Sequence, residues 1–244
     1  MPALPLEHAA DGDDRVLSVL AEGKVEIIGR IVPSSNLALL VEVGTGDDAL
    51  AAVYKPLTGE RPLWDFEPGL HRNEAAAYVL SDWLGWDLVP PTIVRYDAPA
   101  GVGSLQAYID SDPSDHYFTL YDRAPETRPQ LQVMAAFDVI ANNADRKSGH
   151  VLRGTDGRIQ GIDHGLCFAV EDKLRTVIWD FAGEPVPADL LGCLAHLLDD
   201  LPPGLDELIS VTEIEALQGR VRRLLRTGVY PTDRSGRRIP WPLV

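Results

Sequence analysis

The stretch ANNADRKSGHVL, residues 141–152, sets two amides, an aspartate, two cations and a histidine between apolar residues. A second stretch, IQGIDHGLCF (159–168), brings another apolar run to an end on Asp163 and His164. The turn Thr155-Asp156-Gly157 lies between them, so HVLRG and RIQGIDHG read as the two arms of a tight hairpin. Asp145 then stands just before the first arm and Asp163 just after the second, and two acidic centres carried by one hairpin suggest a reaction centre. Val133, Met134, Phe137, Ile140 and Ala141 share one face at helical spacing, so a helix leads into the hairpin.

Working outward toward the N-terminus, VEIIGRIV (25–32), LALLVEV (37–43) and LAAVYKP (50–56) are short runs rich in β-branched residues. The turn signals PSSN and GTGDD separate them, which predicts an antiparallel meander. Residues 72–84 place Ala76, Leu80, Trp83 and Leu84 on one face and stop at Gly85, as a first long helix would. VPPTIVRYDA and GSLQAYID add two strands, and a polar, proline-bearing segment after Asp110 marks a change of character. Three regions are expected: a mobile N-terminus over 1–14, a lobe over 15–110 made of a sheet and one helix, and a mainly helical lobe over 111–244. Beyond Val177 the pattern is helical, in PADLLGCLAHLLDDL and in a stripe of Ile214, Leu217, Val221, Leu224 and Leu225.

Composition narrows the function. A formal net charge of -15 opposes general attraction to nucleic acid or to an anionic bilayer. No run approaches the roughly 20 apolar residues of a membrane helix, and MPALPLEHAADGDD has neither the basic flank nor the apolar core of a signal peptide. The expectation is a cytoplasmic protein with no membrane span. Cys167 and Cys193 lack the paired spacing of a zinc site or disulfide framework and read as buried thiols. The five tryptophans read as core or interface fillers. Residues 220–238 hold seven arginines against one acid, Asp233, a segment suited to docking a protein partner, to holding the body's own acids, or simply to facing water.

A five-strand, one-helix lobe joined to a helical lobe with an aspartate-bearing hairpin is the layout of the α+β, bilobal protein-kinase-like fold. The motifs resemble those of the atypical kinases related to phosphatidylinositol 3- and 4-kinases, and NEAAAYVLSDWLGWDLVPPTI after YKP is similar to small kinase-like proteins of actinobacteria. The likeness runs from about Gly29 to Phe168. It implies that Lys55 holds the nucleotide's phosphates and that Glu74 orients Lys55. It implies Asp145 as the catalytic aspartate, and Asp163, in GIDHG, as the principal metal ligand. His150 stands where that family has asparagine. Because Mg²⁺ prefers oxygen and imidazole suits softer ions, either Asn143 assists or the second metal is Mn²⁺ or absent. Lys147 replaces the family's histidine after DR and is a candidate for stabilising charge.

The chemistry expected is transfer of the γ-phosphate of ATP, with Mg²⁺ or Mn²⁺, to a hydroxyl on a protein or small molecule. Ser34, Ser35 and Asn36, in the turn PSSN, can offer donors to phosphates without glycine, although an ordinary hairpin turn needs the same residues. Two other readings stand beside this one. One is a nucleotide-binding regulatory module without turnover, and the other is a metal-dependent phosphohydrolase using His150, Asp163 and His164.

Overall fold

The computed structural model describes residues 10–32 and 36–243, leaving aside the side chains of residues 10–13 and 47. The predicted strands form: β1 (Val25–Arg30), β2 (Leu39–Val43), β3 (Leu50–Pro56), β4 (Thr92–Arg95) and β5 (Gly103–Ala107). They make one antiparallel sheet in the order β1-β2-β3-β5-β4, so β5 inserts between β3 and β4 rather than extending the meander. Period-two alternation gives each strand two unlike faces. Val41, Ala52, Tyr54 and Leu105 are fully buried on one face and form a small core. The residues between them, Leu40, Val53 and Gln106, are aligned across β2, β3 and β5 and share the opposite face with Lys55.

The small core is closed by a helix the sequence reading did not anticipate, α1 (Ala10–Glu22), whose Leu20 is fully buried against the sheet. Arg95 fastens it by donating from Nη1 to the Leu20 carbonyl at 2.7 Å. The expectation of a mobile segment through residue 14 is therefore corrected for residues 10–14, while residues 1–9 lie outside the described residues. Among the described residues, the stretch to the end of the sheet holds two α-helices, not one. Val16, Leu17, Val19 and Leu20 sit in an acidic, alanine-rich surround that masked their periodicity.

The second helix, α2 (Leu70–Trp83), starts from Gly69 at φ 113°, where glycine is favoured, and has no side-chain cap of its own. Glu60 takes that role from ten residues away by accepting from the backbone N–H of Gly69 (2.8 Å) and of His71 (3.0 Å). Ala76, Ala77 and Leu80 of α2 and its C-cap Leu84 do not join the sheet's core; they belong to the large core of the helical half. That half contains α3 (Tyr117–Arg123), α4 (Arg128–Ala141), the hairpin β6 (Val151–Arg153) and β7 (Ile159–Gly161), then α5 (Ala188–His196), α6 (Leu205–Leu208) and α7 (Val211–Thr227). The short α3 and α6 were not anticipated. No helix among the described residues is long and apolar enough to cross a membrane.

Two smaller expectations change. Cys167 is fully buried, but Cys193 is only half-buried. Trp64 and Trp241 fill no core: they stand 95% and 87% exposed.

Candidate active site

Helix α4 delivers the first motif. Its C-cap, Asn142, adopts φ 55°, a left-handed conformation that asparagine tolerates, and this turns the chain sharply into the loop that carries Asp145. The Asn142 amide then reaches across to the segment after Asp163, donating to the carbonyls of Ala169 (2.9 Å) and Glu171 (2.6 Å) and accepting from Lys173 N–H (2.9 Å). A helix cap thus also ties the two motifs together.

Beneath the loop lies a fully buried ion pair that sequence reasoning missed. Arg146 Nε donates to both oxygens of Asp138 at 3.1 Å, and Nη2 donates to Oδ1 at 3.0 Å. The rest of the guanidinium is spent on the Ile162 carbonyl (2.9 Å) and on Nε2 of His164 (2.7 Å), one residue to either side of Asp163. One side chain of the first motif therefore fixes the backbone of the second. The signal available was Asp138, a carboxylate on the apolar face of a helix, which needs a buried partner. Burial and the Arg146 charge push the His164 imidazole well below its ordinary range, so it is neutral.

Above this frame the predicted side chains converge. Lys55 Nζ lies 2.5 Å from Glu74 Oε1 and 2.8 Å from Asp163 Oδ1. Glu74 Oε2 accepts from the backbone N–H of His164 at 2.8 Å, so helix α2, strand β3 and the second motif meet at one carboxylate. Burial works to lower the Lys55 pKa, but Asp163 and Glu74 outweigh it and hold the ammonium charged well above the usual lysine range. Lys55 in turn holds the Asp163 carboxyl far below the carboxylate range. Asp163 itself has φ 61°, a conformation an L-residue adopts at a cost, which is common at sites where geometry is over-determined by the surroundings. Lys55, Glu74, Asp145, Asp163 and Asn36 line one cavity. Asp145 pairs with Lys147 at 2.7 Å, and burial raises its pKa above the ordinary aspartate value.

The remaining candidates separate. Ser34 and Ser35 lie outside the described residues. Asn36 accepts from Arg61 N–H through Oδ1 at 3.0 Å, which shapes the rim of the cavity. Asn143, expected as a metal-assisting amide, is fully buried and spent at both ends: Nδ2 donates to Asp138 and Oδ1 accepts from Asp145 N–H, each at 3.0 Å. Asn143 shapes the loop backbone at Asp145 and does not face Asp163.

His150 Nε2 lies 3.2 Å from Asp163 Oδ2. Burial pushes this imidazole down to about 4, so it is neutral at ordinary pH. Its Nδ1 accepts from Lys147 N–H at 3.4 Å, which leaves the proton on Nε2, facing Asp163. Among the described residues no three His, Cys, Asp or Glu side chains are grouped to hold a metal alone. The half-exposed Asp163 carboxylate, with His150 beside it and Asp145 in the same cavity, does fit an ion that arrives on phosphates. Mg²⁺ and similar ions are commonly held by one or two carboxylates plus substrate oxygens.

No family model matches the sequence. Protein Rv2133c of Mycobacterium tuberculosis (strain ATCC 25618 / H37Rv) is 43% identical over 263 residues, covering 92% of this chain and 94% of that protein. Phosphatidylinositol 4-kinase gamma 4 of Oryza sativa subsp. japonica is 34% identical over a match that covers 75% of this chain but only 42% of the plant protein. Among solved structures, hydra Fam20 with sugar superposes with a TM-score of 0.65 at 15% identity, covering 92% of this chain and 91% of that one. The Golgi casein kinase with Mn/ADP bound gives a TM-score of 0.56 at 12% identity, covering 96% and 81%. These likenesses establish the bilobal kinase-like fold. The chain belongs to the family of the mycobacterial Protein Rv2133c, built on the fold of the atypical kinases.

Proposed function

We propose that this chain is an ATP- and divalent-metal-dependent phosphotransferase that moves the γ-phosphate to a hydroxyl on a protein or small molecule. The observation that carries the reading is Lys55 held between Glu74 and Asp163, with Asp145 opening into the same cavity. Residues 15–110 would bind the nucleotide and residues 111–244 would carry the catalytic loop. Lys55 supplies a fixed cation to the phosphates, and Glu74 keeps it extended from β3. Asp163, flanked by His150, would hold the metal ion, which when bound neutralises charge on the phosphates. Asp145 orients the acceptor hydroxyl and takes its proton as the acceptor oxygen bonds to phosphorus and the bond to the bridging β–γ oxygen breaks. Lys147, 2.7 Å from Asp145, places a second cation beside the transferring group.

The sheet face around Lys55 supports ATP as the nucleotide. Leu40 and Val53 offer an apolar ceiling for a base. Beside them Gln106 Nε2 donates to Thr92 Oγ1 at 2.8 Å, and Thr92 gives its own hydrogen to the Pro90 carbonyl at 2.7 Å. That relay fixes the amide with nitrogen toward Thr92, leaving Oε1 as an acceptor suited to the exocyclic amine of adenine.

Mass spectrometry of the purified chain and candidate acceptors after incubation with ATP and Mg²⁺ or Mn²⁺ tests the reading. A gain of phosphate supports it, a gain of AMP redirects it to nucleotide transfer, and no change with any acceptor opposes it. In calorimetry and ATP-consumption assays Asp163→Ala loses metal-dependent nucleotide binding, whereas Asp145→Ala binds but does not turn over. The regulatory alternative draws on the direct Lys55–Asp163 pair, which occupies one oxygen of Asp163. A wild type that binds nucleotide and never consumes it would favour that alternative. The phosphohydrolase alternative is withdrawn, because His164 is fully buried with Nε2 engaged by Arg146 and does not offer a ligand.

A further inference from the structure

A groove of about 1100 Å³ opens between residues 63–73, residues 169–173 and the start of α6 and α7. It backs onto the catalytic cavity across the start of α2. Gly69, Arg72 and Asn73 face the groove where their neighbours Leu70, His71 and Glu74 face the cavity. Asn73 also donates to the carbonyls of Gly165 and Cys167, just beyond Asp163. The volume lies at the upper end of the range of about 300–1,000 Å³ common for small-ligand pockets, which leaves room for several side chains of a peptide.

The lining states the chemistry of the occupant. Six carboxylates, Asp65, Glu67, Glu171, Asp206, Glu207 and Glu213, face two cations, Arg72 and Lys173. Lys173 is already committed, with Nζ 3.6 Å from Asp65 and 4.2 Å from the centre of the Phe66 ring. Trp64 lines the groove with 95% of its surface in water, beside the exposed Leu63 and Val170. A large exposed aromatic face ringed by carboxylates is complementary to a guanidinium or ammonium on an aliphatic stem, which stacks on the ring while its charge meets the acids.

We propose that this groove docks an extended, arginine- or lysine-rich segment of a partner protein. The chain's net charge of -15 draws such a segment in and opposes the approach of a second copy. Of that copy's exposed arginines, Arg222, Arg223 and Arg226 are fixed on helix α7, while Arg234 and Arg237 stand in the irregular segment after it beside only one acid, Asp233, so a second copy is a separate outcome of the test. The docking does not rest on phosphoryl transfer, and it is read without nucleotide.

Calorimetry with a short arginine–serine repeat peptide, and with its glutamate–serine counterpart, tests it. The basic peptide binds and the acidic one does not, and affinity falls as salt rises. The carboxylates of Glu67, Glu171 and Glu207 make no hydrogen bond or ion pair among the described residues, and Glu171 and Glu207 are held through their backbone alone, so reversing all three to lysine leaves the thermal melt in place and weakens binding by about tenfold or more. Trp64→Ala weakens it by about two- to fivefold. Equal binding of both peptides, or an unchanged affinity in the triple variant, would overturn the assignment. A dimer seen by light scattering that the triple variant abolishes would overturn it in favour of a second copy as occupant.

Discussion

Lys55 illustrates how a functional side chain becomes structural. Glu74 is 4% exposed, so removing the lysine leaves a buried carboxylate with only the His164 N–H to answer it. The position at a cleft wall suggests from sequence that Lys55→Met spares the fold, but the burial of Glu74 argues otherwise. Lys55→Met should cost about 3 kcal/mol or more, as broken buried pairs do. The double variant with Glu74→Gln should recover part of that, and urea midpoints would decide. At Asp145 the sign of the pH effect follows from burial, which raises its pKa, and from Lys147, which lowers it. Turnover needs the carboxylate and is lost as pH falls through the raised value, so the acid limb lies above the ordinary 3.8. Lys147→Ala should move that limb to still higher pH in the rate profile. His150→Asn should keep turnover with its ion preference unchanged between Mg²⁺ and Mn²⁺, since the Nε2–H of His150 donates to Asp163 and an amide N–H can take that place.

Between elements, two contacts decide whether the site assembles. Gly103 of β5 faces the β3 backbone so closely that a Cβ there would stand 2.4 Å from the Lys55 carbonyl oxygen and 2.7 Å from Pro56 Cα. Gly103→Ala must therefore push β3 aside at the lysine, costing about 1–3 kcal/mol and weakening nucleotide binding along with it. The Asp138–Arg146 pair joins α4 to both motifs at zero exposure. Arg146→Met should cost about 3–5 kcal/mol by leaving Asp138 uncompensated, a loss measurable by denaturant unfolding and larger than for any exposed arginine of α7.

Across the whole molecule, the sheet with α1 packs as one small core, while α2 packs with α4 and the later helices as a larger one. Lys55 hangs from the first and Glu74 from the second, so their ion pair bridges two packing units. A nucleotide held on the Lys55 face would engage both, and ATP with Mn²⁺ at 100 times its dissociation constant should stabilise the fold by about 2.7 kcal/mol, seen as a rise in Tm. The strands, the hairpin and the order of Lys55, Glu74, Asp145 and Asp163 were legible in sequence because alternation, turn residues and motif spacing are local. Helix α1 was not, since its apolar residues acquire meaning only against the far face of the sheet. Tertiary structure alone decided that β5 lies beside β3, that Asn143 turns inward, and that Arg146 holds the residues flanking Asp163. It also decided that an acid-lined groove opens beside Trp64. Each of these depends on which groups are buried and how the elements pack against one another, which no local pattern encodes.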